Sequence, residues 1–208
     1  MQLPTWDEEK RFYLRGYKLI AGVDEAGRGP LAGPIVAAAV ILPFGTIIDG
    51  LNDSKLLSED KREELYKIIK KIALAIKVVQ VSHKVIDQIN IGKANRLVME
   101  LAVKALNIEP HFILVDGRRM NLDLSIPQLS IIGGDRKSVS IAAASVIAKV
   151  TRDRLMLKWH EKYPKYGFDR HKGYGTKDHL RKLKKHGPCP IHRRSFEPVS
   201  LLGSFSAE

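Results

Sequence analysis

Residues 18–30 read Lys18-Leu19-Ile20-Ala21-Gly22-Val23-Asp24-Glu25-Ala26-Gly27-Arg28-Gly29-Pro30. The apolar stretch from Lys18 to Val23 predicts a strand that ends on two adjacent carboxylates, and a Gly-Arg-Gly turn follows at once. The chain as a whole carries a formal net charge of +12. Clustered acids are out of place on so basic a chain unless a cation sits among them, and a divalent metal ion is the leading candidate.

The elements around this stretch set the fold class. Pro34 to Leu42 is a second apolar run, rich in β-branched residues and closed by Pro43 and Gly45, which favours a buried strand over a helix. Asn52-Asp53-Ser54-Lys55 reads as a polar loop. Ser58 then opens an amphipathic helix, Glu59 to Ile72, with Leu65, Ile68, Ile69 and Ile72 on one face. Ala75 to Val81 is a third strand, and Val85 to Leu106 reads as helical with a break near Asn90-Ile91-Gly92. Two short strands follow, His111 to Val115 and Gln128 to Ile132, running into Asp116-Gly117 and Gly133-Gly134-Asp135. Val139 to Trp159 predicts a long helix whose alanines (Ala142, Ala143, Ala144, Ala148) allow close packing. After Pro164 the composition turns basic and glycine-containing, with one basic helix over Lys177 to His186. Strands alternating with helices predict a layered α/β domain with a basic C-terminal extension from about Tyr163.

Bulk properties narrow the function classes. The 208 residues suffice for one full-sized core, and 44% hydrophobic with 28% charged residues is an ordinary globular composition. The positive charge is concentrated between Lys149 and Arg194, which points to a partner such as nucleic acid or an anionic membrane surface, with a plain solubility surface as the alternative. The lone cysteine, Cys189, rules out an intramolecular disulfide. The N-terminus lacks the apolar core of a signal peptide, and no apolar run approaches the roughly 20 residues that span a bilayer. A cytoplasmic protein with no membrane partner is expected.

Acids stand at three strand ends: Asp24 with Glu25, Asp116, and Asp135. Strand ends that meet at one edge of an open α/β sheet form its usual crevice, so these acids are candidates to converge. Four converging carboxylates repel one another unless cations neutralise them, and hard oxygen ligands suit Mg²⁺ or Mn²⁺. Two such ions roughly 3.5–4 Å apart form a clamp for phosphodiester chemistry. Taken singly, each aspartate also reads as a turn former or helix cap. The adjacent Asp24-Glu25 pair is the hardest to explain that way.

Two other motifs compete. Gly27-Arg28-Gly29-Pro30-Leu31-Ala32 formally matches a dinucleotide fingerprint, but the acids would face the pyrophosphate and a strand follows where a helix is needed. His186, Cys189 and His192 supply three zinc donors where a structural site wants four. The Gly27-Arg28-Gly29 turn exposes backbone N–H groups beside the acids and suits close approach by a sugar-phosphate backbone. A tight turn needing positive φ would also explain its glycines. Tyr174, inside His171-Lys172-Gly173-Tyr174-Gly175-Thr176, reads equally as a stacking platform or a buried anchor.

These stretches resemble the type 2 ribonucleases H, specifically the ribonuclease HII family. The resemblance runs from Ala21–Pro30 through Asn52–Ser58, Val115–Gly117, Gly134-Asp135, Ser140–Asp153 and His171–Thr176 to His192–Phe196. It implies a ribonuclease H-like fold, a central mixed sheet flanked by helices, with a catalytic domain over residues 1–162 and a basic substrate-binding extension over residues 163–208. It also implies a metal-dependent endonuclease that hydrolyses the RNA strand of RNA–DNA hybrids and cuts 5′ to single ribonucleotides in duplex DNA, leaving 3′-hydroxyl and 5′-phosphate ends. The family's metal ligands map to Asp24, Glu25, Asp116 and Asp135, which would hold two Mn²⁺ or Mg²⁺ ions. Gly27, Arg28 and Gly29 map to the reader of the ribonucleotide 2′-hydroxyl, Tyr174 to the platform under the adjoining deoxyribose, and Lys55 to a phosphate contact. Asp153, mid-helix among charged residues, is expected to be solvated or structural. A monomer bound to RNA–DNA hybrid or ribonucleotide-containing DNA is expected; a non-catalytic hybrid binder is the alternative.

Overall fold

A computed structural model describes residues 3–202. The first two residues of the expected catalytic domain and the last six of the expected extension lie outside them. The elements run α1 (Asp7–Tyr13), β1 (Ile20–Ala26), β2 (Ile35–Ile41), α2 (Glu59–Ile72), β3 (Ala75–Val81), α3 (His83–Lys104), β4 (Phe112–Asp116), β5 (Gln128–Ile131), α4 (Val139–Lys162), α5 (Phe168–His171) and α6 (Lys177–His186). The five strands form one mixed sheet in the order β3-β2-β1-β4-β5. β1 pairs antiparallel with β2 and parallel with β4, which pairs parallel with β5.

The strand that was expected to stop at Val23 continues through the acid pair. Its ladder with β2 carries on as Asp24↔Ala38, Glu25↔Ala37 and Ala26↔Val36. The last parallel pair with β4 is Val23↔Val115, so Asp24 and Asp116 come next on neighbouring strands, at the same edge. Acidic residues have low strand propensity and so resemble a boundary in the sequence, but paired backbone overrides that preference here.

Strand alternation sorts β2 between two cores. Ile35, Ala37 and Ala39 pack with Ile86, Ala94, Val98 and Met99 of α3 on one face. Ala38 and Val40 pack on the other with Leu65 and Ile69 of α2 and the alanines of α4. Helix α4 lies so close to β1 that a Cβ on Gly22 would sit 2.1 Å from the Ser140 carbonyl carbon. The alanine-rich face, with Ala142, Ala143, Ala144 and Ala148 all fully buried, makes this approach possible.

Helix α1 was not expected from the sequence. Its Glu9 is fully buried and accepts hydrogen bonds from Ser138 Oγ (2.6 Å) and Ser140 N (2.9 Å), docking α1 on the N-terminus of α4. Burial pushes the Glu9 carboxyl above its ordinary pKa despite those two bonds. The break expected in α3 falls at Asn90, whose φ of 64° interrupts the helix. Beyond α4 the chain returns to the sheet. Phe168, Cys189 and Ile191 form a core with Met156 of α4 and Ala32 of the loop between β1 and β2.

Candidate active site

Asp24 and Glu25 at the end of β1 and Asp116 at the end of β4 each offer a carboxylate oxygen within 4.8 Å of the others. Among the described residues, no other trio of His, Cys, Asp or Glu side chains converges in this way. Asp24 is buried and shares the α4 face with Gly22, where the nearby Ser145 favours its charged form. Ser145 Oγ also lies 2.9 Å from Ser54 Oγ. Asp116 is half-buried, and its Oδ1 accepts from Gly134 N at 2.7 Å, which ties the end of β4 to the turn carrying Asp135.

Asp135 is buried beside this trio, on the single helical turn Gly134–Arg136, and its Oδ2 lies 3.9 Å from Lys55 Nζ. A further acid, Asp53, stands next to it. The Asn52 side chain accepts from Asp53 N (2.8 Å), and Asp53 Oδ1 accepts from Lys55 N (2.9 Å), so the loop is shaped by its own side chains. Arg62 of α2 closes the loop by donating to Ser54 O (3.0 Å) and Leu57 O (2.5 Å). Asp53 and Arg62 carried no site signal in the sequence, because only the fold brings this loop against Asp135.

The electrostatics follow from burial and like charge. Burial, then Glu25 and Asp116, hold the Asp24 carboxyl well above the usual carboxylate range. Burial and Asp116 raise Glu25, against the pull of Arg28 and Lys55. Burial also raises Asp116, although backbone N–H groups of Gly134 and Asp135 favour its charged form. Asp135 is pushed up to about 6 by burial, Asp116 and Asp53, with Lys55 opposing. Lys55 loses some charge preference to burial, but Asp24, Asp53, Asp135 and Asp116 together outweigh that and raise its pKa. Buried oxygen donors whose charges are mutually unfavourable fit a hard divalent cation, which removes the repulsion that raises their pKa values.

A cavity of ≈ 600 Å³ opens beside the acids, with Glu25, the Gly27–Gly29 turn, Lys55, Lys149 and Tyr174 in its walls. Gly27 has φ of 97°, and a Cβ there would lie 2.0 Å from Arg152 Nε, so this glycine serves the fold. Gly29 has no such need: its backbone is not left-handed, and a Cβ would meet only Tyr174 Cε1, at 3.8 Å. Tyr174 is 40% exposed and is therefore not a buried anchor. Of the two readings of Asp153, solvated or structural, the second holds: it is buried and pairs with Lys149 Nζ at 2.8 Å.

The zinc alternative lacks its geometry. Cys189 Sγ faces His192 Nδ1 at 3.1 Å, whereas His179 Nε2 meets the other ring nitrogen, Nε2, at 3.0 Å. Among the described residues His186 does not join Cys189 and His192 in a converging set of three donors, and burial pushes the Cys189 thiol up to about 11.

A mixed five-stranded sheet with carboxylates gathered where β1 and β4 end defines a hydrolase of the ribonuclease H-like class. Residues 21–199 match the family model described as Ribonuclease HII, and the chain belongs to that family. It is thus a ribonuclease H, an endonuclease of RNA–DNA hybrids, in a class that depends on divalent metal. The chain is 57% identical over 188 residues to ribonuclease HII of Acetivibrio thermocellus, covering 90% of this chain and 73% of that one. It is 58% identical over 191 residues to the Listeria monocytogenes protein of the same name, covering 92% and 72%. The crystal structure of ribonuclease H2 from Pyrococcus horikoshii OT3 superposes with a TM-score of 0.76 at 30% identity, covering 88% of this chain and 96% of that one. No described helix is long and apolar enough to cross a membrane.

Proposed function

We propose that Asp24, Glu25, Asp116 and Asp135 are the catalytic carboxylates, that they hold two Mg²⁺ or Mn²⁺ ions, and that the enzyme also cuts 5′ to single ribonucleotides embedded in duplex DNA. The observation that carries this reading is the sharing of one cavity by a tight acid trio, an exposed glycine-flanked arginine and an exposed tyrosine. When bound, the ions supply Lewis-acid stabilisation to an attacking water and a departing 3′-oxygen, which leaves 3′-hydroxyl and 5′-phosphate ends. The protein's own groups orient the substrate. Arg28 and Gly29 present backbone N–H groups to the ribose 2′-hydroxyl, Gly27 shapes their turn, and Tyr174 offers its ring to the adjoining deoxyribose. Lys55, fixed at its backbone by Asp53 and beside Asp135 at its ammonium, contacts a phosphate next to the cut. Residues 1–162 form the catalytic unit, and the basic segment 163–208 holds the flanking duplex. The enzyme works in the cytoplasm as a monomer.

Asp24→Asn and Asp116→Asn test the assignment. Each is expected to lower cleavage of both a uniform hybrid and a single-ribonucleotide duplex by at least ~10³-fold in Mg²⁺ or Mn²⁺, the scale of losing a main electrostatic group. The folded state should persist by circular dichroism. Cleavage by either variant at the parent rate would remove its acid from the site, and cutting of the hybrid alone by the parent enzyme would remove the embedded-ribonucleotide activity.

A further inference from the structure

Two of the largest fully buried side chains in this basic protein are arginines, Arg152 at 1% and Arg193 at 0% exposure. Neither has a carboxylate among its side-chain hydrogen-bond partners; each spends its guanidinium on three backbone carbonyls. Arg152 donates to Pro34 O (3.0 Å), Lys172 O (3.0 Å) and Ala32 O (3.2 Å). Arg193 donates to Gly33 O (3.0 Å), Arg28 O (2.9 Å) and Gly27 O (2.5 Å). A buried cation hydrogen-bonded only to carbonyls is costly, even with the Phe196 ring 5.0 Å from Arg193 and the Tyr174 ring 5.8 Å from Arg152, and an aliphatic side chain would fill such a core more cheaply. Burial, with Arg152 adding to it, lowers Arg193 to about 9, so it remains a cation at neutral pH.

The placement of those carbonyls carries the inference. In a trans peptide the C=O of one residue and the N–H of the next point in opposite directions. Pinning Gly27 O and Arg28 O on the buried Arg193 therefore turns the N–H groups of Arg28 and Gly29 away from it, toward the exposed side of the turn. Among the described residues, neither amide donates to any acceptor within the chain. Two free donors at fixed angles beside an acid cluster are what a ribose hydroxyl contact needs. We infer that Arg193 is a positioning residue that presets the Arg28 and Gly29 amides for the ribonucleotide; the inference rests on the reading of Gly27–Gly29 as the ribose reader.

Arg193 is itself held in place. Its own N–H donates to Leu31 O (2.8 Å), and the half-buried Asp87 of α3 clamps the next two residues. The Asp87 carboxylate accepts from Arg194 N (2.9 Å), Ser195 N (2.9 Å) and Ser195 Oγ (2.6 Å). The reader turn is thereby referenced to the helix on the opposite face of the sheet.

The test measures ribose discrimination with the full-length enzyme in Mg²⁺. A labelled single-ribonucleotide duplex gives KM, an unlabelled all-DNA duplex of the same sequence gives an inhibition constant, and the ratio of the second to the first reads discrimination. Arg193→Lys keeps the charge and loses the three-carbonyl fork. It is expected to lower that ratio about tenfold or more through KM, leaving the all-DNA constant within about twofold. A purely structural role would change melting temperature or active fraction and leave the ratio alone, so a folded Arg193→Lys enzyme with the parental ratio overturns the inference. Should Arg193→Lys fail to fold, Asp87→Asn decides: a ratio lowered severalfold supports the inference, and an unchanged ratio overturns it. Gly29→Ala is the parallel control. An unchanged ratio there removes the turn as reader, whereas a ratio lowered by Gly29→Ala and not by Arg193→Lys removes only the role of Arg193.

Discussion

At Gly27 the chain takes a left-handed φ of 97° in a space already filled by Arg152, and at Gly29 it does neither. The two glycines of one turn therefore answer to different constraints, and their alanine variants separate stability from catalysis. Gly27→Ala meets both a strained backbone and a 2.0 Å approach to Arg152 Nε, so it should cost at least ~2 kcal/mol and lower the melting temperature by several degrees. Gly29→Ala meets only van der Waals contact and should melt within about 2 °C of the parent. Its cost should fall instead on the substrate, as a loss of about tenfold or more in kcat/KM, the effect of ~1.4 kcal/mol at the transition state. Thermal melts beside steady-state kinetics check the pair. A Gly29→Ala enzyme that melts early and cuts normally would reverse the assignment.

Helix α2 shows how an element transmits its order to the site. Ser58 caps it by accepting from Lys61 N at 3.2 Å, and Glu59 and Asp60 complement its N-terminal dipole. One turn in, Arg62 grips the Lys55 loop. Ser58→Ala should cost about 1 kcal/mol, or roughly 2–4 °C of melting temperature in a chain of this size. Because Ser58 also adjoins Leu57, whose carbonyl Arg62 holds, we expect a further rise in KM with kcat little changed; an unaltered KM would separate the cap from the loop. The helix announced by a cap and periodicity, Glu59–Ile72, was legible residue for residue in the sequence, and the basic helix Lys177–His186 was legible to about its bounds. Helix α1 was not, because seven residues docked through a buried Glu9 leave no local period to read. Nor were Asp53, Arg152 and Arg193. Their neighbours lie far away in the chain, and a basic segment reads as a solvated face until the fold closes carbonyls around it. The acid set was legible because acids at strand ends are locally odd on a positive chain.

Across the whole molecule, the basic C-terminal segment holds its shape through a neutral histidine chain. Tyr174 O lies 2.9 Å from His179 Nδ1, which must donate to it. His179 Nε2 then accepts from His192 Nε2 at 3.0 Å, which leaves His192 Nδ1 to accept from Cys189 N at 3.0 Å. His171 stacks on His179 at 4.3 Å and bonds Tyr166 O and Gly173 N in the same neutral fashion. Burial first, with each ring and the nearby Lys182 and Arg194 assisting, lowers His179 to about 4 and His192 to about 3. Burial also lowers His171, where Lys182 and Arg170 assist and Asp178 opposes. These folded values lie below the unfolded value near 6.5, so the unfolded chain binds more protons over that range. The stability this chain contributes is thus complete above pH ~6.5 and is lost as pH falls toward 4, by up to ~1.4 kcal/mol per pH unit for each proton. The raised acids act with the opposite sign, since Asp135 at about 6 favours the folded state as pH falls below that value. A melting curve of the parent alone therefore mixes two trends, and the informative quantity is a difference. Unfolding free energy measured from pH 7.5 to 5.0 should fall less steeply for His179→Gln than for the parent, because one proton site is gone while the acid cluster is unchanged. Equal slopes would mean that the histidine chain titrates in the folded protein as it does in water, and that Tyr174 is held by something other than these neutral rings.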